Sequence, residues 1–271
     1  MKSRFNPQFC IITPTEYLHR YAIQSNTHLV LAHIVNTDHA YSEFYNKRAW
    51  IGDVVIMDNG AFELGESYAP DKLIDLGHKC GASVIVLPDY PAVHWCKTVD
   101  AAVEVLPKIK QAGFKTMFVP QSAVGDWCGF VSGYQWGASN PDIDSIGMSI
   151  LALPNALPHI PASFARVVGT ELLVQQQIFN FEKYHHYLGL NAGPALEIPS
   201  LIKIGALDSC DSSGPVWSAI CGQMYTKSAD SYLPTRKISK HVDFNYPWTH
   251  DKCVHNMIQH NINLTLELFK Q

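Results

Sequence analysis

The chain has 271 residues, 47% hydrophobic and 16% charged, with a net charge of −4. That is apolar material for one large core; it excludes a long charged disordered tail and the strongly basic total of a general nucleic-acid binder, while leaving room for a local patch. No run of eighteen apolar residues occurs, so no membrane-spanning helix and no membrane partner are expected. MKSRFNPQFC lacks the apolar stretch of a signal peptide, and the seven Cys (10, 80, 96, 128, 210, 221, 253) are scattered without a C-x-x-C or a zinc-like Cys/His cluster. The expectation is a cytoplasmic, reducing location, with each Cys a small buried apolar side chain.

The recurring unit is a short β-branched run, a turn, then a helical pattern. FCIIT (9–13) reads as a strand running into TPTE, where Thr13 can cap a helix, Pro14 fits its first position and Glu16 completes a capping box. HLVLAHIV (28–35) and DVVIM (53–57) are the next apolar runs, the second ending in DNGAF. Pro70 opens a helix carrying Leu73, Ile74 and Leu76, which Gly81 can close. ASVIVLP (82–88) ends at Asp89. Val99, Ala102, Val103, Leu106 and Ile109 form a helical stripe closed by Gly113, with Pro107 awkwardly inside it. KTMFV (115–119) ends at Pro120-Gln121, and DSIGMSI (144–150) follows a poorly defined helical stretch. After the loop LPNALPHIP, a helix is expected over 171–179, a strand over HHYLGL (185–190) and a short helix over ALEIPSLIKIG. GALDSCDS then supplies the last strand region. Val254, Ile258, Ile262 and Leu266 recur every four residues within 249–269, marking an amphipathic helix expected outside the core; 222–248 reads as irregular.

About eight apolar strands alternating with helices predict a parallel sheet buried on both faces. That number of units in this length predicts a single (β/α)₈ TIM-type barrel domain over 1–271, its strand–helix units spanning about 9–221. No G-x-G-x-x-G follows the first strand, which argues against an open dinucleotide-binding sheet.

Chemistry in such a barrel sits at the C-terminal ends of the strands. Asp58, Asp89, Gln121, Gly147 with Ser149, and the pair Asp208/Asp211 all fall at or near expected strand ends. Each alone reads as a turn, a helix cap or a loop polar group; their convergence on one mouth is what points to a site. His185-His186 sits in a strand, where one ring must point outward in a structural role. No H-x-H or H-E-x-x-H offers three ligands for a catalytic zinc, so neither metal nor other cofactor is expected. Carboxylates without a metal suit glycosyl chemistry, one as nucleophile at an anomeric carbon and one handling the leaving group's proton. Phe62 could stack on a planar ring while Asp89 and Gln121 pair with its edge. A flat, edge-polar leaving group on a sugar is a nucleobase.

MDNGAFE (57–63), LPDYP, VPQS, SIGMSI and HYLGLNAGPALEIPSLIKIGALDSCDS together resemble, in order and nearly in spacing, the segments D-S-G-G-F-Q, the second aspartate segment, V-Q-G, G-G-L-A-V-G and R-Y-L-M-G-V-G…G-V-D-x-F-D-C of the tRNA-guanine transglycosylases. The likeness covers about 53–215, with a weaker match at His255-Asn256. It implies Asp211 as the nucleophile that attacks C1′ and displaces guanine, and Asp58 as the aspartate at the base, placed for proton transfer. It implies Phe62 as the stacking aromatic and Asp89 as reader of N1 and the exocyclic amine. Gln121 and the Gly147 backbone would hold the carbonyl or 7-substituent side, with Ser149 and Gly189 completing the base pocket and Asp208 supporting.

The C-x-C-x-x-C…H zinc set of the tRNA enzymes is missing, SGPVW (213–217) replaces their P-T-R, and LPTR recurs only at 233–236. These departures resemble the DpdA-type branch, often phage-encoded, which exchanges guanine in DNA for a free 7-deazaguanine such as 7-cyano-7-deazaguanine. DNA is therefore the expected partner, in the host cytoplasm if the chain is phage-encoded, and tRNA is the alternative. An oligomer is compatible with the likeness. Arg236, Lys237 and Lys240 form the densest basic group, readable as a solvated loop or as phosphate contacts. A water-using N-glycosidic hydrolase and a non-catalytic partner subunit are the rival readings.

Overall fold

The computed structural model describes residues 6–190, 194–226 and 241–270, apart from the side chains of residues 62, 63 and 194. The eight strands are β1 (Gln8–Ile11), β2 (Thr27–Val30), β3 (Val54–Met57), β4 (Val84–Val86), β5 (Lys115–Phe118), β6 (Ser145–Gly147), β7 (Tyr184–Tyr187) and β8 (Ser209–Ser212). All pair in parallel in the order β1-β8-β7-β6-β5-β4-β3-β2, and β1 and β2 lie side by side to bring the sheet nearly to closure. The protein is a (β/α)₈ TIM-type barrel with a C-terminal helix. Runs such as VVIM and VIV form these strands because β-branched side chains fit a pleated surface covered on both sides, and their interior positions are buried. No helix among the described residues is long and apolar enough to cross a membrane.

Local signals set several boundaries. Pro70 starts the helix Pro70–Cys80, and Gly81 ends it at φ +70°, a conformation glycine adopts without strain. The helix Trp95–Gln111 runs through Pro107. The missing N–H would have faced the carbonyl of Val103, an exposed residue whose oxygen water can reach, while Val99, Ala102, Leu106 and Ile109 anchor the buried face.

Other expectations change. The capping box at Thr13 does not form: Pro14 is the N-cap of a single 3₁₀ turn (Thr15–Tyr17), and the buried Thr13 hydroxyl has no partner among the described residues. Thr15 donates instead to Asp38, at 2.7 Å, so a tertiary contact holds the turn. The helix His39–Trp50 has too weak an apolar periodicity to have been foreseen, and Ala162–Gln175 begins well before the expected 171. The C-terminal helix Lys252–Leu268 is capped by Asp251 and buries Ile258, Ile262 and Leu268. Its Asn261 donates to the carbonyls of Pro215 and Gln223, tying it to the end of the barrel's last unit. His255 is a structural group, bonded to Tyr21 and to the carbonyl of Thr249. Part of the irregular stretch, Phe244 to Trp248, packs on Tyr17 near the end of β1.

The helix Trp127–Ser139 lies against the wall with glycines inward. A Cβ on Gly137 would meet Phe118 Cδ1 at 2.5 Å, whereas one on Gly133 would have its nearest neighbour at 3.6 Å. Gly133→Ala should therefore stabilise the protein by up to about 1 kcal/mol through helix propensity, and Gly137→Ala should lose about 1–3 kcal/mol to overpacking. Urea titration of the pair checks this; equal shifts would contradict the packing.

Candidate active site

Following each strand to its C-terminal end leads to one pocket of about 650 Å³. Asp58, after β3, Asp89, after β4, Gln121, after β5, Ser149, after β6, Gly189, after β7, and Asp211, within β8, all line it. Leu31, Val119, Leu188 and Leu190 supply apolar walls, and His241, Val242 and Phe244 from the otherwise unreadable stretch close part of the rim. Parallel strands in a closed ring bring these residues together although 153 positions separate Asp58 from Asp211 by number.

Two expected members lie elsewhere. Gly147 sits inside β6 and does not line the pocket; a Cβ there would meet Val119 Cγ2 at 2.8 Å and Leu188 Cδ1 at 2.9 Å, so its small size serves packing. Asp208 precedes β8 and therefore lies at the opposite end of the barrel from the mouth. Its carboxylate accepts from the His185 N–H at 2.8 Å and its carbonyl from the Gln8 N–H at 2.9 Å, fastening the starts of β7, β8 and β1. Asp208, just before β8, and Asp211, the third residue of the strand, thus face opposite ends. The side chain of Phe62 and the basic residues Arg236, Lys237 and Lys240 lie outside the described residues.

One wall is a chain of fixed polarity. The Ala61 N–H donates to Asn59 Oδ1 at 2.8 Å, which orients the Asn59 amide. Its Nδ2 then donates to the Leu87 carbonyl and to Asp89 Oδ1, both at 2.8 Å. Gln121 Nε2 donates to Asp89 Oδ2 at 2.6 Å, leaving Gln121 Oε1 buried with no partner among the described residues. This wall offers acceptors, Asp89 and Gln121 Oε1, to whatever occupies the pocket. A ring edge rich in N–H groups satisfies it. Burial raises Asp89 above the usual carboxylate range.

Asp58 faces the same space. Its Oδ2 accepts from the Gly60 N–H at 3.0 Å. Burial, opposed by that N–H and reinforced by the neighbouring charge of Asp89 and then of Asp211, pushes its carboxyl up to about 6. A group with that value can give and take a proton near neutrality.

Asp211 is held differently. The Gly189 N–H donates to Oδ1 at 2.8 Å, and His186 Nε2 lies 3.0 Å from the same oxygen. His186 Nδ1 is 2.6 Å from Ser209 Oγ. The pairing of His186 with Ser209 in the β7–β8 ladder puts His186, Ser209 and Asp211 on the interior face of the barrel. His185 points the other way, into the helical layer, where it meets Tyr134 and Phe179; burial pushes it down to about 3, so it is neutral. The expectation of one outward structural ring holds for His185, while its neighbour is the group that reaches the site. Gly189 has φ +75°, and a Cβ there would lie 3.2 Å from Ile150.

Behind Gly189 stands a fully buried pair. Arg166 makes two 2.7 Å bonds to Glu197 and donates to the carbonyls of Met148 (3.2 Å), Leu188 (2.9 Å) and Gly189 (2.7 Å). A guanidinium fork of this kind pins the chain leaving β6 to the chain leaving β7, and so fixes the N–H that reaches Asp211. Asn59, His186, Ser209, Arg166 and Glu197 all escape sequence reasoning; only the HH doublet in a period-two strand carried a signal.

Among the described residues no three His, Cys, Asp or Glu side chains are gathered to hold a metal ion. No family model and no curated protein matches the chain.

The Asp58 shift has a consequence for stability. The folded carboxyl keeps its proton to about pH 6, the unfolded one loses it near 3.8. The folded state binds more protons between those values, so stability contributed by the neutral buried acid is complete below about 4 and lost as pH rises through 6. Asp58→Asn should gain on the wild type over that interval by at most about 3 kcal/mol. Urea titrations at pH 4, 5, 6 and 7 read the slope, and a difference that does not vary with pH would count against the buried acid.

Proposed function

We propose that the protein is a base-exchange transglycosylase that replaces guanine in DNA with a free 7-deazaguanine through a covalent aspartyl-sugar intermediate. The observation that carries the reading is the shared pocket of Asp58 and Asp211, one a carboxyl poised to move protons and the other held on one oxygen by the Gly189 N–H and His186. The acceptor wall of Asp89 and Gln121 supports it, because the N1–H and exocyclic amine of guanine form an edge of donors. The ordered motifs along 53–215 support it from the sequence side.

In this mechanism the target nucleotide leaves the base stack, at a cost of a few kcal/mol in a duplex. Asp211 attacks C1′ through Oδ2, since Oδ1 is engaged. The C1′–N9 bond breaks, its electron pair goes to the departing guanine, and Asp58 supplies the proton. A 7-deazaguanine then enters, gives its N9 proton to the Asp58 carboxylate and attacks C1′, and the C1′–O pair returns to Asp211. Two displacements restore the original configuration. DNA is proposed over tRNA because the zinc cysteines and the P-T-R segment are lacking.

The test is incubation with labelled 7-cyano-7-deazaguanine and either duplex DNA or tRNA. Label entering DNA is the expected result; label entering tRNA would reassign the polymer, and base release without incorporation would make the protein a hydrolase. Asp211→Ala should reduce incorporation by more than about a thousandfold, and wild-type incorporation by that variant would sink the mechanism. Asp89→Ala should lower discrimination for the guanine-type edge, measured by competition among free bases, with unchanged selectivity removing Asp89 from recognition.

A further inference from the structure

His186 is a buried imidazole with both nitrogens engaged, and the two-displacement scheme does not call on it. Its Nε2 lies 3.0 Å from Asp211 Oδ1 and its Nδ1 2.6 Å from Ser209 Oγ. An ionised carboxylate only accepts, so Nε2 carries a hydrogen toward Asp211. The Ser209 hydroxyl serves Nδ1 on the far side and holds the ring in that orientation. Asp211 Oδ1 thus receives two N–H groups, from His186 and from Gly189, the second fixed through Arg166. Ser209 and His186 are both completely enclosed, so the ring has no competing contact with water.

We propose that His186 is a positioning residue that makes Asp211 a good leaving group, setting the lifetime of the covalent intermediate. The inference rests on the base-exchange reading above. In the intermediate, Asp211 is an ester: Oδ2 is bonded to C1′ and Oδ1 is a neutral carbonyl oxygen. When the incoming base attacks C1′, the C1′–O bond breaks and its electron pair spreads over the released carboxylate. Hydrogen bonds to a charged oxygen are stronger than to a neutral one. The His186 and Gly189 donors therefore favour the free carboxylate over the ester. They temper the first displacement and hasten the second, which keeps the protein from being trapped on its substrate.

The experiment follows the adduct. Full-length protein is mixed with an end-labelled guanine-containing DNA oligonucleotide, or a tRNA transcript in parallel, and 7-cyano-7-deazaguanine is then added. Samples are quenched in denaturant over time to count covalent protein–nucleic acid complex. In His186→Leu the adduct should persist, its decay roughly ten- to hundredfold slower than in the wild type, the size of one hydrogen bond to a charged group. His186→Gln, which retains an N–H at similar reach, should restore most of the rate. Ser209→Ala, which frees the ring without removing it, should fall between, and it serves in place of His186→Leu if circular dichroism shows that variant misfolded. Decay at the wild-type rate in a folded His186→Leu or Ser209→Ala protein would overturn the proposal, as would a Gln variant as slow as Leu. A wild type that forms no adduct and incorporates no base on either polymer would instead overturn the base-exchange reading itself.

Discussion

The structure turns on one backbone hydrogen bond, from the N–H of Gly189 to the carboxylate of Asp211. It joins the loop after β7 to the side chain on β8 at the mouth of the barrel. Gly189 can present that N–H because its φ of +75° costs glycine little, and it stays there because Arg166 grips its carbonyl. Arg166 is in turn neutralised by Glu197 with nothing exposed on either side chain. Breaking such a pair from one side leaves a buried charge, a loss of about 3–5 kcal/mol. Arg166 of this internal ion pair also donates to the carbonyls of Met148 and Leu188, so it fixes both chain segments that flank the Gly189 N–H.

Around that point the pocket divides its acids by environment. Asp211 accepts from Gly189 and His186; Asp58 accepts from the Gly60 and Asn59 N–H groups but sits beside other carboxylates in a poorly hydrated place. Asp89 is locked between two amides, that of Asn59 oriented by the Ala61 N–H and the Leu87 carbonyl. Three carboxylates on one barrel rim thus sit in three different environments.

The interior of the barrel is less uniform than its strands suggest. β7 and β8 carry the polar side chains of His186 and Ser209 inward, at the same level of the barrel as Gly147 on β6. Polar side chains in that position are tolerated because each is satisfied by another, and the resulting line of hydrogen bonds leads to Asp211. At the other end of β8, Asp208 performs structural bonding for the strand starts. The two aspartates differ in surroundings because one stands before the start of β8 and the other near its C-terminal end.

Sequence periodicity determined the fold class, since eight apolar runs alternating with helical patterns leave few alternatives to a closed parallel barrel, and the strand-end rule marked Asp58, Asp89, Gln121 and Asp211. It failed where the cause was tertiary. Thr13 looked like a cap until the Thr15–Asp38 bond took the turn, and the helix His39–Trp50 carries no clear stripe. At Gly147 an added Cβ would meet Val119 and Leu188, a packing need that no linear pattern records. Which of two adjacent histidines faces the carboxylate, and which buried arginine holds the loop that reaches it, depend on strand register and on residues brought from distant helices. A one-dimensional pattern records the spacing of side chains along the chain; only closure of the ring decides which of them meet.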